Sequence, residues 1–192
     1  TIFIMKKYYL LIIFTLCYST TKAQNSNLEK SIFGVQTGVL GIWVHNEARL
    51  APKTALRSEA GFNAVFLIGE GGAEDGFIMA PTLALEPRYY YNIEKRHTKG
   101  KSIHHNAANF LSLDILYVPD WFVISSVDAD FNTLESINFI PKWGIRRNIG
   151  KNFTYELGLG VGYQYAYTKK LGSIKNTHDV VVDLDVRIGY TF

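Results

Sequence analysis

Phe153 to Thr168 is an unbroken two-residue alternation, and no other stretch limits the fold so sharply. Phe153, Tyr155, Leu157, Leu159, Val161, Tyr163, Tyr165 and Tyr167 share one parity, and Thr154, Glu156, Gly158, Gly160, Gly162, Gln164, Ala166 and Thr168 the other. A period of two sends successive side chains to opposite faces, the pattern of a strand and not of a helix. Sixteen residues is well beyond the roughly five or six of an ordinary globular strand. Aromatic residues hold both ends of the apolar face, and Leu157, Leu159 and Val161 hold its middle. An aliphatic band between two aromatic groups, opposite a small and polar face, suits a strand with an apolar medium on one side and a polar interior on the other.

The last segment repeats this pattern. Val180, Val182, Leu184, Val186, Ile188, Tyr190 and Phe192 alternate with Val181, Asp183, Asp185, Arg187, Gly189 and Thr191. Three regularly spaced charges within one strand are incompatible with apolar surroundings on both faces. Weaker alternations occur upstream, at Leu56 to Phe66, Leu83 to Tyr91, Leu111 to Tyr117 and Ile137 to Arg146, and Phe33 to Val44 reads as one glycine-containing strand. Pro87 and Pro141 predict bulges or local breaks, because proline cannot donate to the ladder. Polar connections are expected at His45 to Lys53, Glu70 to Gly76, Glu94 to Asn106, Asp128 to Glu135, Arg147 to Asn152 and Lys169 to Asp179. This makes seven strong segments. A closed single-chain barrel usually has an even number, so eight is the expected count. A break at Val118-Pro119-Asp120 would leave each half shorter than the roughly 9–11 residues a crossing needs, so the eighth strand is not located.

The N-terminal residues add an export signal. Lys6 and Lys7 follow Met5, Tyr8 to Leu16 are mostly apolar, and Thr21 and Ala23 occupy the −3 and −1 positions before Gln24. Basic, apolar and small-residue regions in this order are those of a secretory signal peptide. Residues 1–23 are therefore expected to be removed, with residues 1–4 lying upstream of the true start, and residues 24–192 to form the mature domain. Leu16 before Cys17 argues against lipoprotein cleavage, and the mature chain then holds no cysteine. The full chain has 20 basic and 17 acidic residues. Removing Lys6, Lys7 and Lys22 leaves 17 of each, and with no basic excess a nucleic-acid partner is not expected.

The expected fold is all-β, an antiparallel transmembrane β-barrel. The chain resembles the small OmpX-like outer-membrane barrels and, more closely, a family of uncharacterised bacterial outer-membrane β-barrel proteins. The likeness is carried by Glu86-Pro87-Arg88-Tyr89-Tyr90-Tyr91-Asn92, Pro119-Asp120-Trp121-Phe122-Val123-Ile124-Ser125 and Trp143-Gly144-Ile145-Arg146-Arg147-Asn148-Ile149-Gly150. Tyr190 and Phe192 match the terminal aromatic β-signal of such barrels. The resemblance implies location in the outer membrane, contact with its lipid and with the barrel-assembly machinery, and a monomer. It implies no activity and no catalytic residues.

Placing the polar parity of each strand inside puts Arg57, Arg88, Lys142, Arg146 and Arg187 in one enclosed space with Glu59, Glu86, Asp114, Glu156, Asp183 and Asp185. An eight-stranded barrel is just wide enough for side chains to fill, and unpaired charges there would be costly. Mutual pairing and a lumen without an open aqueous pore are therefore expected. Other chemistry finds weaker support. Asp183 and Asp185 read as partners of Arg187, and Asp128 and Asp130 as loop residues. Ser125 and Ser126 have no nearby base to activate them, so a lipid-modifying hydrolase or acyltransferase is only the alternative. His45, His97, His104, His105 and His178 all fall in expected connections. His104-His105 beside His97 lacks a cysteine or a well-spaced carboxylate, so no metal site is expected. Lys95, Arg96, Lys99 and Lys101 form one basic connection, and Arg146, Arg147 and Lys151 another.

Overall fold

The computed structural model describes residues 28–68, 75–127, 133–168 and 175–192. The expected signal peptide (1–23), Asp128 and Asp130 lie outside the described residues. So does most of the Glu70 to Gly76 connection.

Nine strands form one antiparallel sheet: β1 Ser31–Gly38, β2 Gly41–Ala51, β3 Thr54–Leu67, β4 Gly76–Tyr89, β5 Asn109–Val118, β6 Ile124–Ser125, β7 Ser136–Ile149, β8 Phe153–Ala166 and β9 Thr177–Thr191. Apart from the short β6, each pairs with the strands next to it in the chain, β5 pairing with β7, and β9 returns to pair with β1, so the sheet closes into a ring. Ile124 and Ser125 of β6 pair with β4 beyond the point where β5 leaves it, on the same flank, because the other flank of β4 is taken by β3.

The strand missing from the sequence reading is β2. Phe33 to Val44 is not one strand but a hairpin, with Gly38 facing Gly41 across Val39 and Leu40. Gly41 takes φ +150°, and a Cβ there would meet the Phe62 carbonyl oxygen at 2.0 Å; only glycine allows this turn. The expected polar connection His45 to Lys53 is therefore mostly strand. His45 sits on β2 and His178 on β9, so neither lies in a connection.

The proline effects are also local. Pro87 pairs with Leu56 on one flank while the β4–β5 ladder skips it, and Pro141 pairs with Leu113 while the β7–β8 ladder skips it. Register continues unchanged through both gaps, so neither proline makes a bulge; each withholds its missing N–H from one flank. The one irregularity in the β2–β3 ladder lies between Arg49 and Ala51. A break does occur at Pro119, as the sequence suggested. The β4–β5 register, continued from Leu83 opposite Tyr117, would set Pro81 against Pro119. Two facing prolines leave that step without donors. Trp121 and Phe122 then swing outward, exposed, with Phe122 packing 6.1 Å from the Phe62 ring.

Antiparallel order sorts the connections between two ends. One end, here the terminal end, carries both chain ends of the described domain, the turns at 52–53 and 150–152, and residues 90–108. The other carries the Val39-Leu40 hairpin tip and the connections β3–β4, β5–β7 and β8–β9. Residues 90–108 contain helix α1 (Ile93–Thr98) and a 3-10 turn at His104–Asn106. They fold back under the ring, where Leu28, Ala55, Tyr90, Ile93, Ala108 and Phe110 form a buried apolar cluster with Ile103 against it. Lys53 and Glu94, 2.7 Å apart, tie the β2–β3 turn to α1. This contact raises the Lys53 pKa, chiefly through the hydrogen bond to Glu94.

Candidate functional site

The side chains with charge chemistry converge inside the ring. Along β7, Ser136, Asn138, Ile140, Lys142, Gly144 and Arg146 are buried while Phe139, Pro141 and Trp143 are exposed. On β9 the outward residues are the exposed ones, with Val180 at 75% and Leu184 at 60%. The sheet thus inverts the soluble arrangement, apolar outside and charged inside.

All eleven interior residues expected from sequence lie in this space. Arg57 Nη1 reaches Glu156 Oε2 at 3.3 Å, although β3 and β8 are separated in the sheet by β2, β1 and β9. The contact therefore crosses the enclosed volume. Glu156 is the hub. Its Oε2 accepts from Arg146 Nε at 2.8 Å and Gln36 Nε2 at 3.1 Å, and its Oε1 lies 2.8 Å from Arg88 Nη2. Arg88 also donates to Glu86 Oε2 through Nε at 2.8 Å and Nη2 at 2.6 Å, and the Ser112 hydroxyl donates to Glu86 Oε1 at 2.6 Å. Arg57 bonds Glu59, which accepts from Arg187 Nη1 at 2.9 Å. Arg187 Nε donates to Asp185 Oδ1 at 2.9 Å. Lys142 closes the chain: its Nζ contacts Asp185, lies 2.6 Å from Asp183 Oδ2 and 3.3 Å from Asp114 Oδ2. Two guanidiniums also face rings, Arg187 over Trp43 at 4.0 Å and Arg88 over Phe110 at 4.2 Å. Because the ring excludes water from most of these atoms, their attraction is weakly screened.

Sequence reading missed Glu47. It is fully buried on β2, with Oε2 at 3.0 Å from Arg146 Nη1 and Oε1 accepting from Tyr90 OH at 2.8 Å and Asn106 Nδ2 at 2.6 Å. The signal was present: beyond the hairpin, Trp43, His45 and Glu47 alternate with Ile42, Val44 and Asn46, but a hairpin read as one strand hid it. Glu47 raises the interior carboxylates to seven against five cations. The surplus lies around Lys142 and Arg187, two cations shared by Asp114, Asp183, Asp185 and Glu59. Glu156, Glu47 and Glu86 instead balance Arg57, Arg88 and Arg146. Tyr90 and Asn106 join the network to the apolar cluster, so the terminal end is closed by both.

Other expected groups are placed as follows. Tyr190 and Phe192 lie on the outer face, ring centroids 5.2 Å apart, and Phe192 N donates to Phe33 O at 2.9 Å. Ser125 Oγ donates to Val127 O at 2.9 Å and accepts from Val127 N at 3.2 Å. His97 is exposed on α1. Of the basic clusters, Arg146 belongs to the interior, while Arg147 Nη2 donates to Asn109 Oδ1 at 2.6 Å and Arg96 Nη2 to Ser102 O at 2.9 Å. Among the described residues one group has the make-up of a metal set, Glu29, His104 and His105; sequence spacing gave the two histidines no carboxylate, and Glu29 supplies it from the segment before β1.

Searches of protein-family models, of curated proteins and of solved structures find no match to this chain.

Proposed function

We propose that this chain is an exported outer-membrane β-barrel of eight crossings. In this reading it is a non-enzymatic scaffold with a closed lumen, serving envelope integrity or contacts at the cell surface. One observation carries the reading: the closed sheet turns an apolar belt outward while its charges are buried and paired within. Monomeric soluble proteins rarely expose contiguous apolar patches above a few hundred Å², whereas lipid-facing strands require one. The belt has the right order, with Phe33, Phe153, Tyr155 and Tyr190 toward the terminal end, Tyr163 and Tyr165 toward the other, and Leu157, Leu159, Val161, Val182 and Leu184 between. Closure of the ring, with Gly34 to Gly38 paired to Thr191 to Arg187, removes most of the unpaired edge that a spanning sheet must avoid; among the described residues the 177–186 flank of β9 toward β1 lacks a ladder partner. Among the described residues no helix is long and apolar enough to cross a membrane, so strands would make every crossing.

Residues 1–23 would direct export, and Tyr190 and Phe192 would serve the assembly machinery. The terminal end, with the turns at 52–53 and 150–152 and residues 90–108, would face the periplasm. The ion-pair network and the apolar cluster beneath it favour a plugged scaffold over a channel for solutes. Fractionation of cells should place the protein in the outer membrane, with heat-modifiable migration on gels. Recovery in the soluble periplasm would overturn the barrel reading. Steady, well-resolved single-channel conductance in a planar bilayer would overturn the closed lumen.

A further inference from the structure

At the terminal end, Glu29 meets the 3-10 turn that closes the ring. The Glu29 backbone N–H donates to Asn106 Oδ1 at 2.9 Å, and Glu29 Oε1 accepts from the His105 backbone N–H at 2.6 Å. His104 Nε2 lies 3.9 Å from Glu29 Oε1, and the two imidazole centroids are 3.7 Å apart with the rings tilted by 42°. One ligand atom from each of Glu29, His104 and His105 falls within 4.8 Å of the others. A second observation is independent of that proximity. His105 is only 5% exposed, yet its ring Nδ1 has no hydrogen-bond partner. Buried polar atoms are normally satisfied, and a ring nitrogen left open is one able to take a ligand.

We propose that Glu29, His104 and His105 form a binding site for a divalent transition-metal ion of the Zn2+ type. Two imidazole nitrogens and one carboxylate oxygen suit Zn2+, which takes nitrogen and oxygen ligands at about 2.0–2.2 Å and keeps a fourth position for water when the protein supplies three. Ca2+ and Mg2+ prefer more oxygen donors than these residues offer. The contraction needed is at most about 1.4 Å, from a spread within 4.8 Å to a tetrahedral edge of roughly 3.4 Å set by those bond lengths. His104 can make it, since its side chain is 57% exposed. Bound metal would pin the segment before β1 to the turn beneath the ring and hold the end closed.

The test is a Zn2+ titration of the full, untagged protein in detergent micelles, with a chromophoric chelator as competitor. Wild type should bind one equivalent saturably. His104→Ala removes an exposed ring, and Glu29→Gln keeps an acceptor for the His105 N–H, so both should fold; circular dichroism and gel migration check this. Each should weaken Zn2+ at least tenfold, His97→Ala should leave it unchanged, and excess Ca2+ should not compete. Absence of saturable binding in wild type, undiminished binding in either variant, equal loss in His97→Ala, or displacement by Ca2+ would overturn the site. The result is independent of the membrane reading, since a soluble chain could bind Zn2+ and a barrel could fail to.

Discussion

Replacing Glu156 by Gln tests whether the interior charges hold the ring together. The carboxylate contacts Arg57, Arg88 and Arg146, whose side chains are at most 2% exposed. Removing one partner of a buried pair costs roughly 3–5 kcal/mol, mainly because the other charge stays buried and uncompensated. Each guanidinium keeps a second carboxylate: Arg57 keeps Glu59, Arg88 keeps Glu86, and Arg146 keeps Glu47. The low end, about 3 kcal/mol, is therefore expected. Asp183→Asn is the counter-test. Asp183 contacts Lys142, which retains Asp114 and Asp185, and its side chain is 26% exposed. It belongs to the carboxylate-rich group, so losing its charge relieves repulsion as it removes an ion pair. The two effects nearly cancel, and a change within about 0.5 kcal/mol is expected. Equilibrium urea unfolding in lipid vesicles, followed by tryptophan fluorescence, gives both values from the midpoint and slope. A cost below about 1 kcal/mol for Glu156→Gln, or a larger cost for Asp183→Asn than for Glu156→Gln, would refute the view that local charge balance decides stability.

Three further outcomes follow from the geometry. Leu159→Arg, in the middle of the outward face of β8, should cost about 2–4 kcal/mol in a bilayer; a change under about 0.5 kcal/mol, usual for a water-exposed position, would count against lipid contact. Gly144→Ala would set a Cβ 2.2 Å from the Phe110 ring. Phe110 is held between Arg88 and Tyr90, so the same unfolding assay should register a loss of about 1–3 kcal/mol, partly recovered by adding Phe110→Leu. Tyr90→Phe removes a donor from buried Glu47 and should cost about 1–3 kcal/mol, measurable as a lower urea midpoint with an unchanged slope.

Strand faces were readable from the chain because each strand carries apolar side chains on its outer face and small or polar ones on its inner face. Every outward residue expected on β8 and β9 is outward, and the eleven interior charges follow from parity alone. The hairpin at Val39-Leu40 was not readable. Val39 and Leu40 carry none of the turn chemistry that usually marks a two-residue hairpin, so β1 and β2 merged into one strand of unassigned facing, and with β2 went Glu47. The prolines misled in the opposite direction: Pro87 and Pro141 looked like strand breakers, but each lost only one ladder bond on one flank.

Local periodicity, set by backbone geometry, determined which side chains point inward and outward. Only the closed structure decided which inward charges meet, because Arg57 and Glu156 are 99 residues apart in the chain and not on adjacent strands. The same holds at the terminal end, where Glu29 reaches His105 across 76 residues. A two-residue period carries no information about contacts across an enclosed space. Ring closure supplies it, by bringing every strand's inner face within reach of all the others.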